Sequence, residues 1–220
     1  MNFSFLSGTL LFRGVPEPEI GGLIESLCGR SGHYEKGEVI YRCGETAKDI
    51  GLVLSGGVII KNDDFWGNQS VLARIEPGDI FAETYACIGG KALLVDAVAA
   101  ESTEVLFISA AEILSPKDGV SRYCQTLTGN LLTISAIKNI RLSCRILYTS
   151  PKHIRGRLTA FLSDAAKEQG SERVTVPFSR QQLADFLNVD RSAMCAELSK
   201  MQKDGIIEYK KNIFLLKNIP

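Results

Sequence analysis

The sequence predicts an α+β protein with an N-terminal antiparallel jelly-roll β-barrel, a long helix and a C-terminal winged helix-turn-helix. Three observations lead to this fold class. Short apolar runs separated by Gly-rich turns fill residues 33–109, and helical spacing takes over from about residue 115 to residue 147. Two short helical patterns and a hairpin pattern then occupy residues 178–216. We therefore expect three segments, at residues 1–114, 115–149 and 150–220.

The charge of the chain is unevenly distributed. The 220 residues include 25 basic and 25 acidic side chains. Residues 1–149 carry 13 Lys and Arg against 17 Asp and Glu, a net charge of −4, whereas residues 150–220 carry 12 against 8, a net charge of +4. This asymmetry is expected if only the C-terminal segment meets a polyanion.

Neither a membrane span nor a secretory signal is indicated. No run of 18 or more apolar residues occurs, and the N-terminus lacks the basic start and cleavage site of a signal peptide, so we expect a soluble cytoplasmic protein without a membrane partner. The cysteines show neither a Cys-x-x-Cys motif nor a Cys/His cluster: Cys28, Cys43, Cys87, Cys124, Cys144 and Cys195. Most are predicted to be reduced core residues, and a redox-active pair among them stays open.

The N-terminal segment begins with a predicted amphipathic helix. Ile20, Leu23, Ile24 and Leu27 share one face of it, after Pro16. Short apolar strands are then predicted at residues 39–41, 50–54, 58–60, 71–75, 93–95 and 105–108. Evenly spaced short strands with Gly-rich turns are typical of a jelly roll.

The long helix is predicted from about Ser115 to Leu147. Leu127, Leu131 and Ile134 share one of its faces. A helix of about 30 residues exceeds what capping a small barrel requires, which favours pairing with the same helix of a second subunit. The alternative is a helix packed only on its own domain, because charged residues interrupt the heptad pattern.

Residues 151–176 are predicted to start the C-terminal segment. Pro151 ends the long helix, Ile154 and Leu158 begin the apolar face of a further helix reaching about Gly170, and residues 174–176 form a short strand.

Two capped helices follow. Ser179 and Gln182 form a capping-box pattern for a helix that reaches about Leu187. Asp190 is the N-cap of the second helix, which ends at Gly205. The predicted buried face of the second helix consists of Met194, Leu198 and Met201.

A hairpin pattern completes the segment. Residues 206–209 and 213–216 are short apolar runs around a basic turn at 210–212. A helix-turn-helix with such a wing is typical of proteins that place the second helix in the major groove of DNA. The alternative is an ordinary helical hairpin in a packed domain.

Particular motifs resemble those of the Crp–Fnr family of bacterial transcription regulators over essentially the whole chain. They are YEKGEVI at 34–40, GE at 44–45, PGDIFAE at 77–83, SRQQLA at 179–184 and DRS at 190–192. The resemblance implies a homodimer whose second helices meet successive major grooves of double-stranded DNA, on a near-palindromic operator with half-sites about 34 Å apart. RNA polymerase is a further expected partner if the protein is an activator.

The resemblance also points to a candidate effector pocket. In members that bind cyclic AMP, the pocket glutamate is followed by an Arg-Ser pair that holds the cyclic phosphate. Glu83 is present here, but the corresponding region is Leu93-Leu94-Val95, so cyclic AMP is not expected. A different small molecule is expected to meet Glu83, Thr84, Tyr85, Leu93 and Leu94. Glu83 could equally be a structural residue of the turn.

No cofactor is assigned, and the effector is unidentified. An iron–sulfur sensor needs closely spaced N-terminal cysteines, which Cys28 and Cys43 do not provide. Haem needs axial ligands, and His33 and His153 are the only histidines. These two are predicted to be ordinary polar residues.

The candidate DNA contacts fall into two groups. Arg191, Ser192 and Ala193 begin the second helix and are predicted to contact bases. Many family members hold a guanine with an arginine where this chain has Ala196, so a different half-site is expected. The predicted phosphate contacts, for each lysine of which a solvated role is an equal alternative, are Ser179, Arg180, Lys200, Lys203, Lys210 and Lys211.

The sequence therefore predicts a homodimeric transcription regulator, not an enzyme, switched by a small-molecule or redox effector. A jelly-roll oxygenase would need converging histidines, and none lies between His33 and His153. The remaining alternative is a regulatory module resembling cyclic-nucleotide-binding domains that acts on protein partners instead of DNA.

Overall fold

The computed structural model describes residues 1–63, 69–116 and 123–217. The chain forms two compact units, Met1–Ala136 and Ile137–Pro220, and each is described by itself. Among the described residues, no helix has the length and apolar character needed to cross a membrane. The division at residues 114 and 149 stays a prediction.

The described residues of the first unit form four short helices. They are α1 (Phe3–Ser7), α2 (Glu17–Ser26), α3 (Glu83–Ile88) and α4 (Ala110–Leu114). Helix α2 confirms the predicted amphipathic helix, since Ile20, Leu23 and Ile24 are buried. The other three were not predicted, because five or six residues are too few for a helical period to stand out.

The described part of this unit also has eight strands, which form two separate antiparallel sheets. In chain order they are β1 (Arg30–Tyr34), β2 (Val39–Tyr41), β3 (Asp49–Ser55), β4 (Val58–Asp63), β5 (Gln69–Ile75), β6 (Ile80–Phe81), β7 (Asp96–Ala99) and β8 (Thr103–Ser109). The strand orders are β1-β8-β3-β6 and β2-β7-β4-β5. Side chains from both sheets share one apolar core, to which Val53 and Phe107 contribute from the first sheet and Val58 and Ala97 from the second.

This arrangement confirms the predicted antiparallel β-architecture and corrects one part of it. In the part of the unit that the structure describes, the two sheets are not closed into a barrel. Strands β1 and β6 are the edges of the first sheet, and β2 and β5 are the edges of the second. The hydrogen-bonded ladders therefore end at these four strands, so the unit is a sandwich of two sheets.

The predicted strand at residues 93–95 is wrong. The strand is Asp96–Ala99, which lies between β2 and β4. Leu93 instead pairs with the preceding loop, because its N–H donates to the carbonyl oxygen of Glu45 and its own carbonyl oxygen accepts from the N–H of Gly44, each at 2.8 Å. Two leucines and a valine gave a stronger apolar signal than the alanine-rich strand beside them.

The long helix, α5 (Cys124–Thr149), begins later than predicted. Ser115 lies at the end of α4, and residues 117–122 are outside the described residues. The predicted apolar face is confirmed, since Leu127, Leu131 and Ile134 are buried in the core of the first unit.

The second unit confirms the predicted order of its elements. They are α6 (Ile154–Gln169), β9 (Arg173–Thr175), α7 (Arg180–Phe186), α8 (Arg191–Lys203), β10 (Ile207–Lys210) and β11 (Ile213–Leu216). The strands form one antiparallel sheet in the order β10-β11-β9. Leu158, Leu183, Met194, Leu198 and Phe214 are fully or almost fully buried in the core of this unit.

The cysteines differ in part from the expectation that most belong to the core. All six are free, and Cys124 is buried, which raises the pKa of its thiol. Cys87 and Cys144 are half-buried and pack against a core, and Cys195 is also half-buried. Cys28 and Cys43 are exposed, because one follows the end of α2 and the other lies in the loop after β2.

Candidate nucleic-acid interface

Helix α7 starts with the capping box that the sequence predicts. The hydroxyl oxygen of Ser179 accepts from the N–H of Gln182 at 3.3 Å, and Oε1 of Gln182 accepts from the N–H of Ser179 at 2.8 Å. Both bonds satisfy N–H groups that a helix start leaves unpaired. Leu183 and Ala184 are fully buried, so this helix is anchored by its inner face.

The turn between α7 and α8 is held by a residue that the sequence did not point to. Arg157 of α6 donates from Nη1 to the carbonyl oxygens of Leu187, at 3.1 Å, and Asn188, at 2.7 Å. Asn188 has φ +53°, a left-handed conformation that asparagine tolerates better than most residues. One guanidinium thus donates hydrogen bonds to two carbonyl oxygens at the end of α7 and stabilises the turn.

Helix α8 has one buried and one exposed side. Asp190 caps it by accepting from the N–H of Ala193 at 2.7 Å. The buried side consists of Met194, Leu198 and Met201. At 100° per residue, the side opposite to these three contains the exposed residues Ser192, Ala196, Ser199 and Lys203, which we call the outer strip.

All three predicted base-contact residues are exposed in the first turn of α8. Ser192 is part of the outer strip, and Arg191 and Ala193 lie on either side of it. The middle of the strip is small and uncharged, because it consists of Ala196 and Ser199. The hydroxyl of Ser199 donates to the carbonyl oxygen of Cys195 at 3.0 Å. A guanine-holding arginine is therefore absent from the place where the family resemblance expects one.

The four predicted phosphate-contact lysines are all exposed. Lys200 and Lys203 lie in the last turn of α8, where Lys200 Nζ is 3.9 Å from Oε2 of Glu197. Lys210 pairs with Ile213 across the hairpin, so Lys211 lies in the turn that closes it. Lys211 has φ +53°, a conformation that costs most residues about 1 kcal/mol.

Arg180 is packed against the wing. Its guanidinium carbon is 4.8 Å from the ring centre of Phe214 and 5.0 Å from that of Tyr209. Nη2 of Arg180 donates to the carbonyl oxygen of Lys211 at 2.6 Å. Arg180 therefore links α7 to the wing, and its role as a phosphate contact stays a prediction.

The candidate effector residues lie on α3 and the loop after it. Glu83 and Leu93 are buried, with 5% and 4% of their surface exposed, whereas Thr84 and Leu94 are exposed. The hydroxyl of Thr84 donates to Oε1 of Glu83 at 3.3 Å. The phenol oxygen of Tyr85 accepts from the N–H of Leu94 at 3.4 Å. The structure thus brings Glu83 to Thr84 and Tyr85 to Leu94, with no arginine among the five residues.

The second unit, with its exposed helix and basic hairpin, is a winged helix-turn-helix of the DNA-binding class. Two family models match successive parts of the chain: the cyclic nucleotide-binding domain at residues 32–115 and the Crp-like helix-turn-helix domain at residues 156–219. The chain belongs to the Crp–Fnr family of DNA-binding transcription regulators.

Solved structures share this fold at low sequence identity. The catabolite activator protein of Thermus thermophilus is 19% identical with a TM-score of 0.50, and the match covers 95% of this chain and 94% of that one. The c-di-GMP responsive regulator CLP of Xanthomonas campestris is 19% identical with a TM-score of 0.59, over 90% and 100% of the two chains. CprK in complex with OCPA is 15% identical with a TM-score of 0.68, over 91% and 89%. No curated protein sequence matches the chain significantly.

Proposed function

We propose that this protein is a homodimeric transcription regulator that binds a specific DNA sequence through α8 and responds to a small-molecule or redox effector in its first unit. The observation that carries the proposal is the two-sided character of α8. One side is anchored in the core by three apolar residues, and the opposite side offers the outer strip beside a basic wing. A rigidly held helix with such an exposed side suits insertion into the major groove.

The proposed contacts with DNA divide by chemistry. Arg191 is the main base contact, since a guanidinium can donate two hydrogen bonds to one guanine. Ser192 adds a hydroxyl, and Ala193 a methyl group that suits contact with thymine. Ser179 and the exposed lysines contribute phosphate contacts, which add affinity without sequence preference.

Helix α5 is the proposed dimer contact. Leu132, Ile140 and Leu147 are 72%, 64% and 65% exposed, and helical spacing places them on the side opposite Leu127 and Leu131. Such exposed aliphatic side chains on one helix favour burial against the same helix of a second copy. The dimer would present two α8 helices to half-sites about 34 Å apart.

The proposed effector is not cyclic AMP. A cyclic phosphate needs a cation, and this chain has Leu93-Leu94-Val95 in the region where an Arg-Ser pair is expected. Of the proteins with the same fold, CLP is responsive to c-di-GMP and CprK forms a complex with OCPA. The effector would favour one arrangement of the dimer and so shift the population that fits DNA. If the regulator is an activator, RNA polymerase is a further proposed partner.

Selection of bound duplexes from a random library tests the proposal. The purified protein is expected to enrich a near-palindromic sequence, and a metabolite extract is expected to change the yield of bound duplex. Arg191→Ala should weaken binding to the selected site by about 10- to 100-fold and relax the preference at one base pair of each half-site. Arg173→Ala, which removes an exposed arginine from β9, is the matched control and should bind like the parent.

Two results would contradict the proposal. Equal binding by Arg191→Ala and the parent would remove the assigned base contact. A complete lack of salt-dependent duplex binding would favour the alternative of a regulatory module that acts on protein partners.

A further inference from the structure

Arg155 joins α6 to the DNA-facing helix through two acidic residues. Nε of Arg155 donates to Oε1 of Glu197 at 2.5 Å, and Nη2 donates to Oδ2 of Asp204 at 2.7 Å. The hydrogen bonds with Glu197 and Asp204 raise the pKa of the Arg155 guanidinium. Only 18% of the Glu197 side chain is exposed, so this carboxylate depends on its partner more than one in open solvent would.

The two acidic residues are spaced so that one guanidinium contacts α8 at two points along its axis. Glu197 lies in the middle of the helix and Asp204 is its C-cap residue. They are seven positions apart, about 10 Å along the helix axis, and so lie on nearly the same side. Because the guanidinium is planar and donates along fixed directions, holding both acids restrains rotation and sliding of α8 against α6.

The same contacts mask negative charge on the helix that carries the outer strip. Glu197 is about 100° round the helix from Ala196 of that strip, on the side of α8 that contacts α6. An unpaired carboxylate there would repel phosphate groups. Lys200 is a weaker partner, because its Nζ is 3.9 Å from Glu197 and its side chain is 69% exposed. Without Arg155, Lys200 would be drawn to Glu197 and away from DNA.

We propose that Arg155 is a positioning residue for DNA recognition, which holds α8 in place and neutralises Glu197 so that this helix can approach the phosphates. The inference rests on the proposed DNA-binding function and adds a residue outside the predicted interface. Arg155 is proposed to affect DNA affinity by neutralising Glu197. Removal of the Glu197 charge should therefore restore part of the affinity that is lost with Arg155.

A double-mutant cycle tests this inference with duplex binding as the readout. The proteins are the parent, Arg155→Met, Glu197→Gln and the double variant, measured on the duplex that the parent selects. Arg155→Met should weaken binding about tenfold, and Glu197→Gln should bind within about twofold of the parent. The double variant should bind at least about threefold tighter than Arg155→Met alone.

Controls separate charge masking from a general folding defect. Lys167→Met removes one exposed positive charge from the last turn of the same helix and should bind within about twofold of the parent. The loss caused by Arg155→Met should shrink as salt is raised from about 0.1 to about 0.3 M, because salt screens repulsion. A purely structural defect would leave the ratio of the two affinities unchanged. If Arg155→Met does not fold, the equally uncharged Arg155→Gln, with and without Glu197→Gln, carries the same comparison.

The inference is overturned if Arg155→Met binds like the parent, or if the double variant binds no tighter than Arg155→Met. These outcomes are distinct from a failure of the proposed function. In that case the parent itself selects no duplex, whereas here the parent binds and only the effect of Arg155 is missing.

Discussion

Arg180 donates a hydrogen bond of 2.6 Å from Nη2 to the carbonyl oxygen of Lys211 and so joins the first residue of α7 to the turn of the wing. The guanidinium also lies 4.8 Å from the ring centre of Phe214. The position of the wing lysines therefore depends on a residue of the preceding helix. Two residues that were predicted as separate phosphate contacts act on each other in the folded protein.

Arg180→Lys distinguishes a charge contact from a structural link. Lysine keeps the positive charge but loses the planar group that stacks on the rings and reaches Lys211. If the link matters, Arg180→Lys and Arg180→Ala should both lose about three- to tenfold in DNA affinity, and both should unfold at lower urea concentration. Titration of labelled duplex and urea unfolding are the measurements. Parent-like binding by Arg180→Lys together with weak binding by Arg180→Ala would instead show a phosphate contact.

Lys211 combines an unfavourable backbone conformation with a charge proposed to meet phosphate. At φ +53°, glycine is free of the steric cost that lysine and alanine share. Lys211→Gly should therefore be more stable than Lys211→Ala by about 1 kcal/mol. Both variants lose the same charge, so their DNA affinities should fall together by about two- to fivefold. Thermal unfolding and duplex titration separate the two effects, and equal stability of the two variants would refute the strain at this turn.

Ile140→Glu tests the proposed dimer contact on α5. The side chain is 64% exposed in one chain, so the substitution should leave the stability of the monomer nearly unchanged. A carboxylate buried against a second helix should raise the dimer dissociation constant by about tenfold or more. Sedimentation equilibrium measures this constant. Leu142→Glu is the control, because Leu142 is 59% exposed but points to another side of the helix. A similar loss from both variants would contradict the assigned face.

Tyr41 should make the stability of the first unit depend on pH in the alkaline range. Burial, with a smaller effect of Asp49, raises the pKa of Tyr41 from 10.0 to about 12. The folded chain thus holds the phenol proton more tightly than the unfolded chain does. The resulting stability is complete below pH 10 and is lost as the pH rises through about 12.

Tyr41→Phe should reduce this alkaline loss of stability. The variant also lacks the 3.1 Å hydrogen bond from the phenol to the carbonyl oxygen of Asp49, so it should be less stable at neutral pH by about 1 kcal/mol. Urea unfolding of the parent and the variant at several pH values between 8 and about 12 is the measurement. If the free energy of unfolding fell equally with pH in both proteins, Tyr41 would not be the cause of the alkaline loss of stability.

The features that the sequence predicted correctly depend on neighbours along the chain. Ser179 with Gln182, and Asp190 with Ala193, are pairs three residues apart, and both caps form as expected. The buried side of α8 follows from helical spacing alone. The family motifs are also local, because each consists of a few consecutive residues.

The features that were missed depend on residues far apart in the chain. Arg155 lies 42 positions from Glu197, and Arg180 lies 31 positions from Lys211. Nothing in the local sequence around these arginines indicates their partners. The strand at Asp96–Ala99 also depends on distant residues. It forms because it pairs with β2 and β4 on its two sides, not because its own residues are strongly apolar.

The sequence by itself determined which segments are helices and strands in the second unit, which side of each helix is apolar, and which family the chain resembles. These properties follow from periodicity, caps and turns, whose energies act over a few residues. Only the tertiary structure decided that the two sheets do not close into a barrel, that Arg157 binds the carbonyl oxygens of the turn, and that Arg155 contacts α8 and Arg180 contacts the wing. The physical reason is that hydrogen bonds and ring contacts between distant segments form only when the fold brings their side chains within a few ångströms.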